Sequence, residues 1–373
     1  MSTETALTGA GSYCPPTEVT NEELCGVFNA WVERENQARA AEIEAGTFEP
    51  MRPSSPEFVE KVSGIAARRF FDAKGILDPD RMMPRIPDRP DGELSAQAEM
   101  AHAAAEEALK AAGRAPEEVD LVVVGASSLQ RPYPAIAIEL QDALGARGFA
   151  YDISVGCASG TFAIQMASEA VRAGSARVAL VCTPEIPSAY SNFRDRDSHF
   201  ILGDGAGAVV VESMEHAKPG AFEILGTSSF SRFSSNVRNN GGFLNRCDAE
   251  HRDDADKLFY QDGRRVFGDI VRLVPRFLTE QLGSLGFTPA DLDRCWFHQA
   301  NGRMNDAIGD RLLGDRATPE RCPSVLSRLG NTAAAGALIS FAQHREDLPS
   351  GALGVLAAFG AGYTLGSQVL RRI

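Results

Sequence analysis

Positive charge is scarce in this chain. Against 50 Asp and Glu its 373 residues set only 37 Lys and Arg, giving a net charge of −13 and a pI near 5.0. That balance argues against nucleic acid as the main partner and leaves room for an anionic partner only at a local basic patch. Cysteines are few and unpatterned: seven, an odd number, with no metal-ligand spacing. A disulfide framework and a metal site are not expected, and a reducing cytoplasm fits. No apolar run approaches the length of a membrane span. The start, Met-Ser-Thr-Glu-Thr, has neither the basic nor the apolar region of a secretion signal. A cytoplasmic protein with no membrane partner is the expectation. The remaining bulk numbers, 44% hydrophobic and 23% charged, are those of an ordinary globular chain, long enough for two domains or one double-lobed domain.

What is present is a steady alternation of patterns. Apolar, β-branched runs at 6–13, 120–124, 149–155, 178–182, 222–227, 295–299, 354–359 and 368–371 read as strands. Helical periodicity covers 21–44, 94–112, 135–144, 158–172, 264–282, 304–313 and 331–343. The fold class is therefore α/β, with a mixed, largely parallel sheet and helices on both faces. Residues 74–92 carry Pro79, Pro84, Pro87 and Pro90 and read as an ordered surface loop. The glycines of Gly203-Asp204-Gly205-Ala206-Gly207 precede a strand and do not lead from one into a helix, so they read as a turn and not as a phosphate loop. Two βα-rich halves of similar length, 1–212 and 213–373, suggest a pseudo-duplication without a residue-level repeat.

Three stretches carry chemistry. Cys157 stands where an apolar strand ends at Gly156 and a helix begins, ringed by small residues. Unpaired amides and the helix dipole lower a thiol's pKa in such a place, and the thiolate is the nucleophile. A buried structural cysteine is the plainer reading of a lone thiol. His298 closes the apolar strand Cys295-Trp296-Phe297 and is followed by Gln299-Ala300-Asn301. Asn331 stands at a helix start in Gly330-Asn331-Thr332-Ala333-Ala334, where an N-cap is the ordinary reading. Phe359-Gly360-Ala361-Gly362-Tyr363 is a tight turn after a strand, able to aim an amide at an oxyanion.

Together, in this order and spacing, these motifs resemble β-ketoacyl-acyl-carrier-protein synthase III, a family of thiolase-like condensing enzymes. The resemblance runs from Leu7 to Gly366 and includes Ile201-Leu-Gly-Asp-Gly-Ala-Gly-Ala208. It implies a thiolase-like five-layer αβαβα fold built from two pseudo-duplicated halves, working as a homodimer. It also implies an acyltransferase that loads an acyl group on Cys157 from an acyl thioester. Decarboxylative Claisen condensation with malonyl on an acyl carrier protein follows. No cofactor is implied beyond the acyl-CoA or acyl-carrier and malonyl-carrier substrates. His298 and Asn331 match the donors to the malonyl thioester oxygen, and the amides of Cys157 and Ala361 the acyl-transfer oxyanion hole. The resemblance assigns Phe58, Tyr133, Arg196, Phe267 and Asn301 to substrate binding, with Tyr133 reaching the partner's acyl pocket. Thiolases carry a second cysteine where Ala361 stands, and longer-chain condensing enzymes a second histidine at Asn331. Chalcone-synthase-like enzymes share Cys, His and Asn.

The chain departs from the family in places. Phe58 falls where the family has a tryptophan stacking on coenzyme A adenine, while Arg196 matches the arginine on the other side of that base. Arg264 replaces an asparagine before Val266-Phe267, and coenzyme A as donor is put in question. The segment 25–92 is an insertion whose apolar residues could close or extend an acyl tunnel; the alternative is a decorated edge with no role in substrate choice. Longer variants of the family include enzymes taking medium-chain acyl groups and ketosynthase/cyclases making dialkylresorcinol- or cyclohexanedione-type products. A non-condensing acyltransferase or thioester hydrolase on the same fold is the remaining alternative. For carrier docking, Arg265, Arg272 and Arg276 share one helix face at offsets of seven and eleven. Arg264 and Arg303 would add to the basic patch, and Pro275 is positioned to kink the helix.

Overall fold

The computed structural model describes residues 4–90 and 92–373; Met1, Ser2, Thr3 and Asp91, which belong to the start and to the proline-rich loop read from sequence, lie outside the described residues. Nine strands form one sheet: β1 (Thr5–Tyr13), β2 (Leu121–Gly125), β3 (Phe149–Ile153), β4 (Val178–Glu185), β5 (Gly205–Ser213), β6 (Phe222–Ser234), β7 (Arg294–Phe297), β8 (Leu353–Gly360) and β9 (Gly362–Arg372). Their spatial order is β7-β8-β9-β6-β1-β5-β4-β2-β3. Number the strands within each stretch of chain, and β3-β2-β4-β5-β1 reads third, second, fourth, fifth, first. The sequence β7-β8-β9-β6 runs in the same order without a third strand. The two meet where Ala6 and Leu7 of β1 pair with Glu223 and Phe222 of β6.

Only the β2–β3, β2–β4 and β7–β8 pairs are parallel, and the other five are antiparallel. The expected largely parallel sheet is corrected here, and connection length is the reason. A parallel neighbour needs a crossover of a dozen residues or more, usually a helix. β8 turns into β9 across Ala361 alone, so that pair can only be antiparallel. β9 is eleven residues long, where apolar pattern marked only 368–371; glycine and serine dilute the stretch before it.

Helices complete five layers. On one outer face lie α1 (Ala96–Ala112) and α2 (Ile136–Leu144), packed on β2, β4 and β5 through Ala101, Ala105, Leu140, Val122 and Leu180. On the other lie α4 (Gly263–Ser284) and α5 (Gly302–Leu313), packed on β7–β9 through Ile270, Leu278, Ile308, Val355 and Val369. Between the two parts of the sheet sit α3 (Ser159–Arg172) and α6 (Ala335–Gln343). Their small residues Ala163, Ala167 and Ala337 share a core with Val181, Trp296 and Leu356. Alanine on α1 lets the helix lie close on β1. A Cβ at Gly9 would stand 2.2 Å from the Ala108 carbonyl oxygen, which explains a glycine inside that strand.

The insertion has its own small core. Asn21–Ala38 is a helix with a Thr20–Glu23 capping box, and the single helix expected over 21–44 breaks at Arg39, with Ala40–Glu44 continuing separately. Leu24, Phe28, Val59, Phe70 and Ile76 pack with Phe193, Phe200 and Leu202, so the segment is anchored to the chain beside the strand-end motifs. Within the proline-rich loop, Ala73–Ile76 forms one helical turn capped by Asp72. Pro275 lies inside α4 without ending it.

Candidate active site

Two turns meet around Cys157. One is Gly156-Cys157 at the entrance to α3; the other is Gly360-Ala361 between β8 and β9. Their approach is so close that a Cβ at Gly360 would stand 2.8 Å from the Cys157 Cβ and 3.1 Å from its Sγ. Thr364 latches the turns together, its Oγ1 donating 2.9 Å to the carbonyls of Val155 and Ala361. The backbone amides of Cys157 and Ala361 both face the thiol and favour its ionised form. Desolvation outweighs them, with Glu185 adding to it, and the thiol is pushed up to about 12. The low thiol pKa expected from the helix start is therefore corrected. Cys157 is half-buried and lines both cavities around it, and α3 begins two residues later. Burial costs the thiolate more than the amides and helix dipole return.

Two cavities share this sulfur. The first, about 740 Å³, is lined by Cys157, His298, Asn331 and Ala361, and also by Phe267, Asn301, Arg264 and Arg303. The second, about 590 Å³, leaves Cys157 on the other side between Ser127, Leu129, Ile186 and Tyr190, and Ile86 and Pro87 of the insertion line it as well. Val237 and Phe259, on and beside a two-stranded ribbon (Val237–Arg238 with Tyr260–Gln261), line both cavities.

His298 is 2% exposed, its amide bonded to the Ala357 carbonyl at 2.8 Å and its ring edge-on to Phe359 at 5.4 Å. Burial pushes the imidazole down to about 4, opposed by the backbone of Ala333, so the ring is neutral at physiological pH. Asn331 is not at the helix start. α6 begins at Ala335, because the Asn331 amide and carbonyl are taken by Ile201 and Gly203 at 2.9 and 3.1 Å in a strand-like bridge. The Asn331 Oδ1 accepts the Ala333 amide at 3.0 Å, leaving Nδ2 with only a 3.5 Å contact to the Ala300 carbonyl. Ala333 itself has φ +47°, in the left-handed region.

Other expected residues fall in several places. The Asn301 side chain caps α5 through the Met304 amide at 3.2 Å and donates to the Val62 carbonyl at 2.9 Å, so its amide is occupied structurally. Tyr133 is 81% exposed and lines neither cavity. Phe58 and Arg196 line neither; the guanidinium lies over the ring. Arg265 and Arg272 stand on the solvent side of α4, paired with Asp262 and Asp269. Ser127, Tyr190 and Glu185 were not singled out by sequence. Glu185, fully buried and ending β4, held the one visible signal: an acid closing an apolar strand. Asp204 of the glycine-rich turn is buried and accepts from Phe71 and Ser188, a structural tie between insertion and core. Among the described residues no group of three or more His, Cys, Asp or Glu could hold a metal, and no helix is long and apolar enough to cross a membrane.

Comparison with known proteins gives the following. The model of 3-oxoacyl-[acyl-carrier-protein (ACP)] synthase III matches residues 151–229, and that of the same enzyme's C-terminal part matches 282–372. The chain is 47% identical over 346 residues to a Pseudomonas aeruginosa beta-ketodecanoyl-[acyl-carrier-protein] synthase, covering 92% of this chain and 99% of that protein. It is 30% identical to the Acidiphilium cryptum beta-ketoacyl-[acyl-carrier-protein] synthase III over 98% of this chain and 99% of the relative. The crystal structure of the Aquifex aeolicus 3-oxoacyl-[acyl-carrier-protein] synthase III superposes with TM-score 0.76 at 26% identity, covering 98% and 99% of the two chains. Xanthomonas campestris OleA, at 18% identity and TM-score 0.75 over the full length of both chains, shares the fold.

Proposed function

The chain belongs to the 3-oxoacyl-[acyl-carrier-protein] synthase III family, and from that premise we propose how its residues divide the work of the condensation. It is a thiolase-fold condensing enzyme of the β-ketoacyl-ACP synthase III type, an acyltransferase of fatty acid or related synthesis that uses acyl thioester and malonyl-carrier substrates. The observation that carries the division is the sharing of Cys157 by two cavities. An acyl-enzyme mechanism needs one space for the bound acyl chain and another for the arm that delivers each thioester.

In our reading the 590 Å³ cavity takes the acyl chain and the 740 Å³ cavity takes the arm. Both lie in the roughly 300–1,000 Å³ range of small-molecule sites. The Cys157 sulfur attacks the donor carbonyl; its proton leaves on the departing thiol, and the amides of Cys157 and Ala361 hold the oxyanion. Malonyl thioester then enters. Its C–CO₂ bond breaks, the electron pair passes to the thioester oxygen, and the neutral His298 ring and Asn331 Nδ2 donate to that oxygen. The resulting carbanion attacks acyl-Cys157, and the thiolate departs and is reprotonated. The relative named for a β-ketodecanoyl product supports an eight-carbon donor, since condensation adds two carbons. Ile86 and Pro87 give the insertion a part in the acyl wall.

We further propose the division into halves 1–212 and 213–373, supported by the shared strand order, and a homodimer in the cytoplasm. The dimer is supported by β3, an edge strand carrying Phe149 at 43% exposure, and by Tyr133 and Ile138 nearby in sequence at 81% and 47%. The test is intact-mass trapping of Cys157 with acyl thioesters of two to twelve carbons, followed by malonyl-carrier protein. The expected result is strongest loading near eight carbons. His298→Ala and Asn331→Ala should still load but lose decarboxylation by about a hundredfold or more. Near wild-type condensation by either variant would overturn its role, and release of free acid without condensation would choose a hydrolase.

A further inference from the structure

The most unusual group near the site that the mechanism does not use is Glu185. Its side chain is fully buried. Oε1 accepts from the Ser127 amide at 2.6 Å and the Ala334 amide at 3.1 Å, and Oε2 accepts from the Ser127 hydroxyl at 2.8 Å. The Ser127 hydroxyl is also 2.8 Å from the Tyr190 hydroxyl, on the wall of the second cavity. Among the described residues no basic side chain bonds this carboxyl, so there it is not half of an ion pair.

The Ala334 bond matters most. The Ala334 N–H and the Ala333 carbonyl belong to one planar peptide group, so fixing the first fixes the second. Ala333 is held at φ +47°, a conformation an alanine adopts only when its surroundings hold it there. On one side of Ala333 its amide bonds Asn331 Oδ1 at 3.0 Å and thereby turns Nδ2 toward the cavity. Its backbone also acts on the His298 ring, raising its basicity against burial. The Asn331 amide therefore hangs on a turn that Glu185 clamps from behind, and the His298 ring lies against the backbone of the same turn.

We propose that Glu185 is a positioning residue for the decarboxylation half-reaction, holding the Ala333–Ala334 peptide so that His298 and Asn331 meet the same oxygen. The inference rests on the assignment of those two donors. Burial, the largest cause, pushes the carboxyl up to about 8.

The experiment separates the half-reactions in the full-length enzyme, with Glu185→Ala, Glu185→Asp and Glu185→Gln. Glu185→Ala should lower the rate of malonyl decarboxylation about tenfold or more, with Cys157 acylation and KM for malonyl-carrier protein within about threefold of wild type. Gln keeps the acceptor oxygen for both amides and offers Ser127 a donor, so it should restore the rate; Asp is one methylene short of Ala334 and should behave like Ala. If Glu185→Ala does not fold, the Asp and Gln pair decides. Equal loss in both half-reactions, or no difference between Gln and Asp, overturns the proposal. If His298→Ala and Asn331→Ala lose decarboxylation while Glu185→Ala and Glu185→Asp keep it, the donors stand and only the clamp is wrong.

Discussion

The Arg196 guanidinium carbon lies 4.0 Å from the centroid of the Phe58 ring. The guanidinium also donates to the Pro53 carbonyl at 2.9 Å, which ties it to the insertion. A flat base held between these two groups would need about 7–8 Å between them, two van der Waals contacts in series. The pair is already stacked, a cation–π contact that occupies the faces a base would need.

The adenosine end of coenzyme A should therefore contribute little to donor recognition. Octanoyl-CoA and octanoyl-pantetheine should acylate Cys157 with kcat/KM values within about tenfold, a difference of roughly 1.4 kcal/mol or less. A preference of several hundredfold for the coenzyme A ester, abolished by Arg196→Ala, would mean that the stacked pair opens to admit the base.

Stability should fall with rising pH between 6.5 and 8 because of Glu185. Its folded-state value of about 8 stands above the ordinary 4.5, so the folded protein keeps a proton that the unfolded chain has lost. The associated stability is fully present below 4.5 and gone once pH passes 8. Asp204, raised to about 6 by burial, completes its change lower down. His298 and His199, both lowered by burial to about 4, act below 6.5 and with the opposite sign, costing stability as pH falls. The melting temperature of wild type relative to Glu185→Gln should therefore decline from pH 6.5 to 8. Parallel curves across that window would show that Glu185 is ionised in the folded protein.

Carrier docking should depend more on Arg264 and Arg303 than on the exposed arginine row of α4. Arg264 and Arg303 are exposed and line the cavity that holds His298 and Asn331. Arg265, Arg272 and Arg276 are exposed but each has a carboxylate on its own helix or cap, at 3.2, 3.5 and 2.7 Å. An acidic partner would have to displace those neighbours, and exposed pairs of this kind are worth only about 0–1 kcal/mol to begin with. Arg264→Glu with Arg303→Glu should raise KM for malonyl-carrier protein about tenfold at low ionic strength, and Arg265→Glu with Arg272→Glu about threefold. Acylation from a small thioester should stay within about twofold in both pairs. Equal effects would extend the docking face along α4.

What the sequence determined by itself is what depends on near neighbours. Strand and helix order follows from periodicities of two and 3.6, and these placed most elements to within a few residues. Cys157 and His298 could be nominated because each stands at the end of an apolar strand, and Asn331 by the place of its motif in the order and spacing of the family's motifs. Where the local signal was diluted or divided, the reading slipped: at the glycine-rich start of β9, at Arg39, and at Asn331, whose backbone goes to Ile201 and Gly203 and not to a helix. Tertiary structure alone decided the rest, because burial and bonding partners exist only once distant segments meet. The direction of most strand pairs depends on how the two parts of the sheet join at Ala6 and Glu223 and on tight turns. The Cys157 thiol rises because burial desolvates it and the Glu185 charge opposes its ionisation, although a helix start in water would lower it. Phe58 and Arg196 reach each other across 138 positions, and Glu185 reaches Ala334 across 149. No pattern within one stretch of chain encodes either contact.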